Sequence, residues 1–186
     1  MVRGVSPDAE LQLSEGEVSA PERDRLGFLM TLIRSAHELL ESCRNNEEAK
    51  KNVLKRLRGI LREAIIVFWE APKLTKYSPN RTYSVAARKF IKAGRADKRR
   101  HLRFDHAIPL RMVVDELLDA HHNPRKIKSI LQRVEARLLT VEEDKALNRV
   151  HRNTMPDGWD WKTGVTDARY VAARIDFEGV RRVPRR

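Results

Sequence analysis

Cysteine is almost missing from this chain: Cys43 stands alone among 186 residues. That excludes an internal disulfide framework and any cysteine-built zinc site. No apolar run approaches the roughly 18 residues at which a membrane-spanning helix is suspected. The opening stretch MVRGVSPDAELQLSEGEVSA is acidic and lacks an apolar centre, so it does not read as a secretory signal. No internal repeat is visible. These absences lead to the expectation of a cytoplasmic protein with no membrane partner.

Positive charge is plentiful. Lys and Arg number 38 against 26 Asp and Glu, a net of +12. The excess is uneven: residues 1–24 hold six acids against Arg3 and Arg23, a net of −4, which leaves +16 for the remaining 162 residues. A basic body of this kind attracts phosphate polyanions by releasing their condensed counterions. Nucleic acid is therefore the expected partner, with a partner protein of acidic surface as the other reading. The segment from Arg88 to Arg111 is the densest, with nine Lys or Arg against Asp97 and Asp105. Lys92, Arg95, Arg99, Arg100, Arg103 and Arg111 in it form a candidate phosphate track.

The chain divides into a disordered acidic leader over 1–20, one mainly helical domain over 21–180, and a loose basic tail over 181–186. Leu26, Leu29, Met30, Ile33, His37 and Leu40 recur at the spacing of one buried helical face. Val53, Leu54, Leu57, Ile60, Leu61, Ala64, Ile65 and Phe68 do the same, with Asn45 or Asn46 to cap the start and the helix ending before Pro72. The two read as an antiparallel pair, with His37 a core or boundary imidazole. Tyr83, Ala86, Ala87, Phe90 and Ile91 give a third stripe that Gly94 stops.

RRHLRFDH alternates like a short strand, with His101, Arg103 and Asp105 set against Leu102, Phe104 and His106. Pro109 opens a helix carrying Val113, Val114, Leu117 and Leu118, and Asn123-Pro124 opens another carrying Ile127, Ile130, Leu131 and Val134. ARLLT reads as a second strand. It runs into Thr140-Val-Glu-Glu143, a capping box that starts a helix at Val141. MPDGWDWKTG is a turn-rich loop whose Trp159 and Trp161 either lock it to the core or stack on bases. Residues 166–175 are expected to be helical. The fold class is mainly α (α+β).

Asp105-His106 at the end of the first strand is the strongest candidate for chemistry. Hydrolysis of a phosphodiester needs a base for the attacking water and positive charge beside the departing oxygen. A hard divalent cation held by oxygen ligands supplies the charge, and a neutral imidazole supplies the base. Asp144, Asn148 and His151 share one face of the last long helix, so Asp144 can offer a second ligand. The plainer reading has Asp105 paired with an Arg and His106 packed in the core. His121-His122, at a helix end, reads as a partner for the helix dipole.

FDHAIPLRMVVDEL resembles the start of the HNH nuclease motif, a hydrophobic residue, Asp or Glu, His, any residue, a hydrophobic residue and Pro, followed by a helix. RLLTVEEDKALNR is similar to that family's second strand and following helix. The resemblance spans about residues 99–150. It implies a ββα-metal finger with a helical insertion between its strands, and DNA cleavage with one Mg²⁺ or similar ion. On this likeness His106 is the general base. Asp105 and Asp144 are metal ligands, with Asn148 an alternative ligand or a phosphate contact. Arg100 and Arg103 hold the substrate backbone. The family's middle Asn is missing, and Glu135 and Ala136 stand in its neighbourhood. The expected function is a metal-dependent HNH-like endonuclease acting on DNA rather than RNA. The alternative is a non-catalytic nucleic-acid-binding protein of the plasmid or phage regulator type.

Overall fold

A computed structural model of the chain describes residues 20–70, 81–94 and 98–177, the side chains of Ala20, Lys98 and Arg99 excepted. Apart from Ala20, the expected leader lies outside the described residues, as does the basic tail. The fold is mainly helical with one two-stranded antiparallel sheet. In order, α1 (Ala20–Ser42) and α2 (Glu47–Ala64) are followed by a π-helical turn (Ile65–Glu70), α3 (Val85–Lys92) and α4 (Lys98–His101). Then come β1 (Leu102–His106), α5 (Leu110–Asp119), α6 (Pro124–Gln132), β2 (Ala136–Thr140), α7 (Val141–His151) and α8 (Ala168–Ala172). None of the described helices is long and apolar enough to cross a membrane.

The helix starts follow their capping residues. Asn46 accepts from Ala49 N, Ser84 from Ala87 N, and Asn123 from Lys126 N with Pro124 just inside the helix. Gly94, past the end of α3, has φ 69°, a left-handed conformation that favours glycine. The apolar faces of α1, α2, α5 and α6 meet in the main core, where Leu29, Ile33, Leu61, Val114, Leu117, Ile127 and Leu131 are buried. His37 lies at its boundary, stacked on His121 with ring centroids 3.4 Å apart, while His121 Nδ1 is bonded to Leu118 O at 2.9 Å. That contact gives one of the last carbonyls of α5 a side-chain partner.

The second helix departs from its expected pattern. A continuous α-helix would bury Phe68 on the face of Leu57, Leu61 and Ala64. The π turn widens the repeat by one residue, so Trp69 is 1% exposed and Phe68 is 37% exposed. Trp69 Nε1 donates to Leu131 O at 2.6 Å, which anchors the turn on α6. Ile60 is exposed as well.

The sheet pairs Leu102 with Thr140 and runs to His106 with Ala136. β1 starts one residue later than its alternation suggested, because His101 ends the short α4. β2 is covered on both faces: Leu138 packs with Tyr83, Ala87 and Leu102, whereas Leu139 packs with Leu147, Tyr170 and Phe177. Its outer edge is closed by Ser84 N donating to Leu138 O and Leu138 N donating to Thr82 O. Two leucines fully buried in this way contribute about 1.5–3 kcal/mol each. The last helix is shorter than expected at both ends: of residues 166–175 only Ala168–Ala172 are helical, preceded by an irregular, turn-rich loop over residues 152–167. There Trp159 and Trp161 pack on the main core, and the Arg133 guanidinium donates to Trp161 O and Gly164 O. A Cβ at Gly164 would collide with the Trp159 indole and the Asp160 carbonyl, so only glycine suits this loop.

Candidate active site

β1, β2 and α7 form a ββα unit, with α5 and α6 inserted between the strands. The Thr140–Glu143 capping box sets the start of α7: Thr140 Oγ1 accepts from Glu143 N, and Glu143 Oε2 accepts from Thr140 N. This puts Asp144 in the first turn of α7, beside the strand pair. Successive side chains of β1 point to opposite faces. Phe104 and His106 share one face, their rings 5.5 Å apart edge to face, and Asp105 points to the other. Both residues nevertheless line one cavity at the end of β1, because the chain turns at Ala107–Pro109 immediately afterwards.

On the His106 face stands a residue that the sequence pattern did not point to. Glu70, the last residue of the π turn, accepts at Oε2 from His106 Nε2 at 2.8 Å and at Oε1 from Arg81 at 3.0 Å. Glu70 and Arg81 side chains are 6% and 5% exposed. Burial alone would raise the Glu70 carboxyl; the hydrogen bond and charge of His106, with Arg81, outweigh it, so the pKa lies below its ordinary value. His106 Nδ1 has no hydrogen-bond partner among the described residues.

Asp105 is held on the opposite face. Its Oδ2 accepts from Tyr170 at 2.9 Å and from Arg169 Nη1 at 3.3 Å, while Oδ1 has no partner among the described residues. Burial pushes the Asp105 carboxyl above its ordinary range, against the pull of Arg169 and Tyr170, and the charge of Asp144 pushes it the same way. Asp144 is therefore an electrostatic neighbour of Asp105. Tyr170 is itself raised well above its ordinary value, first by burial and then by Asp105, and so remains a donor. Arg169, 1% exposed, also donates to the carbonyls of His106, His151 and Arg152, tying the end of β1 to the end of α7.

The cavity mouth is cationic. Arg58, Arg62, Arg111 and Arg152 line it. Arg58 is engaged by Asp115 through two bonds of 2.7 and 2.8 Å. The side chains of Arg62, Arg111 and Arg152 have no partner among the described residues. Of the expected phosphate track, Arg111 alone is placed at this mouth. Lys92 and Arg100 are exposed elsewhere, and Arg103 donates to Leu102 O at 3.1 Å. Arg95 and the Arg99 side chain lie outside the described residues. Asn148 is exposed and lines a neighbouring depression with Lys145, Arg149 and Arg152.

Among the described residues no group of three His, Cys, Asp or Glu side chains gathers around one point. Of the side-chain oxygen donors, Asp105 and Asn153 line the cavity, whereas the expected second ligand Asp144 does not line it and acts on Asp105 through its charge. Two carboxylates suit a Mg²⁺-like ion, which keeps several waters and is commonly held by one or two protein carboxylates. They do not make a closed four-ligand zinc site.

Glu70, Arg81, Arg169, Tyr170, Arg62 and Arg152 were not singled out from the sequence. The one local signal was Glu70 itself, a lone acid closing the apolar run IIVFWE; the others reach the site through contacts distant along the chain. No protein-family model matches this chain, and no curated protein or solved structure is significantly similar to it.

Proposed function

We propose that the protein is a metal-dependent, HNH-like endonuclease that hydrolyses DNA phosphodiester bonds. The observation that carries this reading is the ββα unit with His106 and Asp105 in one cavity lined also by Arg62, Arg111 and Arg152, whose side chains have no partner among the described residues. Arg62, Arg111 and Arg152 receive the phosphate and its neighbours along the strand. His106, with Nδ1 free, takes the proton of the attacking water. A divalent ion such as Mg²⁺, when held by Asp105 and Asp144, supplies positive charge beside the departing 3′ oxygen. Arg169 and Tyr170 keep Asp105 in place.

The test is nicking of supercoiled plasmid with Mg²⁺, with and without chelator. His106→Ala is expected to lower the nicking rate by about 10²- to 10⁴-fold while DNA binding persists. Nicking by the variant at the normal rate removes His106 from the reaction. A second reading rests on the Arg169–Asp105 pair: if Asp105 serves only to order the strand end, the cationic mouth belongs to a DNA-binding protein without hydrolytic activity. Binding that is salt dependent and indifferent to Mg²⁺, with plasmid left intact, is its signature.

A further inference from the structure

We infer that Glu70 is a positioning residue that fixes which nitrogen of His106 carries the hydrogen. The inference rests on the reading of His106 as a general base. The ionised Glu70 carboxylate has no hydrogen to give, so its two oxygens only accept. One is taken by Arg81 at 3.0 Å and the other by His106 Nε2 at 2.8 Å. Nε2 therefore donates, the hydrogen resides there, and the lone pair is left on Nδ1. In a nuclease, that lone pair is what removes the proton from water. The assignment is made by a helical element remote from the ββα unit: the π turn ends on Glu70, and Trp69 beside it is pinned to α6. Phe104 supports the arrangement from the strand side, edge to face with His106 and beneath the Arg81 guanidinium at 4.7 Å. Among the described residues the hydrogen bond of the His106 ring is to Glu70, and none comes from the neighbourhood of Glu135 and Ala136.

The geometry makes Glu70→Gln a sharp test. A glutamine has one accepting oxygen and one donating NH₂. Arg81 has only donors, so it claims the oxygen, and the NH₂ then faces His106 Nε2. A donor opposite Nε2 stabilises the other tautomer, with hydrogen on Nδ1 and no lone pair where the base needs one. Loss of the correct tautomer at fixed geometry costs about 10⁴-fold in kcat in the serine-protease triad. A loss of 10²- to 10⁴-fold is expected here, in kcat rather than in KM. Replacing Arg81 as well, in Glu70→Gln/Arg81→Met, frees the Gln oxygen to accept from Nε2 and restores the original tautomer.

The measurement is ¹⁵N NMR of the His106 ring in the metal-free protein at roughly pH 8, where an ordinary imidazole is neutral. Expected are hydrogen on Nε2 in the native protein, on Nδ1 in Glu70→Gln, and on Nε2 again in the double variant, with nicking following the same order. Hydrogen on Nδ1 in the native protein overturns the inference without needing any variant to fold. So does Glu70→Gln with hydrogen still on Nε2, or a switched tautomer with nicking unchanged in a protein that His106→Ala inactivates. If neither the native protein nor His106→Ala nicks differently, the nuclease reading falls, and the spectra alone decide whether Glu70 sets the tautomer.

Discussion

Tyr170 donates its phenolic hydrogen to Asp105 Oδ2 at 2.9 Å, across 65 residues of chain. The same oxygen accepts from Arg169, and still burial leaves the Asp105 carboxyl above its ordinary range. Between the unfolded value near 3.8 and that raised folded value, the native state binds more protons, so this group's contribution falls as pH rises. At neutral pH the charged side chain is a net cost to folding.

Asp105→Asn is therefore expected to raise the melting temperature at neutral pH, because the amide oxygen can still accept from Tyr170 and Arg169. The gain should shrink in acid, where Asp105 is itself protonated. The same variant should not nick DNA. A variant that melts lower at pH 7 than the native protein would show that the charge stabilises the fold, and would favour a purely structural role.

Glu70 should behave in the opposite sense. Its carboxyl is lowered, so its contribution is fully present above the unfolded value near 4.5 and is lost as pH falls through the folded one. Urea unfolding of the native protein and Glu70→Gln should show a stability gap at neutral pH that narrows below pH 4.5. A gap independent of pH would contradict an ionised Glu70.

Much of this architecture was legible in the sequence, and the reasons are local. α1, α2, α5 and α6 follow from apolar spacing, and three starts follow from Asn46, Asn123-Pro124 and the Thr140–Glu143 box, because a cap is a contact between residues three apart. β2 stood out as a short apolar run ahead of that box. Phe68 was misplaced because the face of a helix can be extrapolated only while its repeat is constant, and the π turn changes the repeat. Asp105 and His106 could be found by their neighbours, but their partners could not. Tyr170, Arg169, Glu70 and Arg81 approach from elements whose relative placement is set by packing rather than by any period.

The arginines at the cavity mouth differ in how much charge they have free. Arg62→Ala, Arg111→Ala and Arg152→Ala should each reduce the slope of log affinity against log salt by about 1 for DNA. Arg58→Ala should reduce it less, since Arg58 is already paired with Asp115 through two bonds. Filter binding or fluorescence anisotropy across a salt series distinguishes them. An unchanged slope for Arg62→Ala, Arg111→Ala and Arg152→Ala would mean that DNA does not enter by this mouth.

Thr140 carries the start of α7 and with it the position of Asp144. Thr140→Ala removes the acceptor for Glu143 N and should cost about 0.5–2 kcal/mol in urea unfolding. If Asp144 must face Asp105 for activity, nicking by the folded variant should also fall.

The insertion between the strands has a kinetic consequence. Residues 107–135, between the ends of β1 and β2, carry α5 and α6, whose apolar faces are buried with those of α1 and α2. A hairpin whose connecting segment is itself part of another core cannot zip up locally; ordering of the intervening chain has to come first. Closing of the strand pair, and with it of the candidate site, is therefore expected to be coupled to docking of the helical body. A fragment trimmed to the ββα unit would discard both the scaffold that closes it and the carboxylate that steers its imidazole.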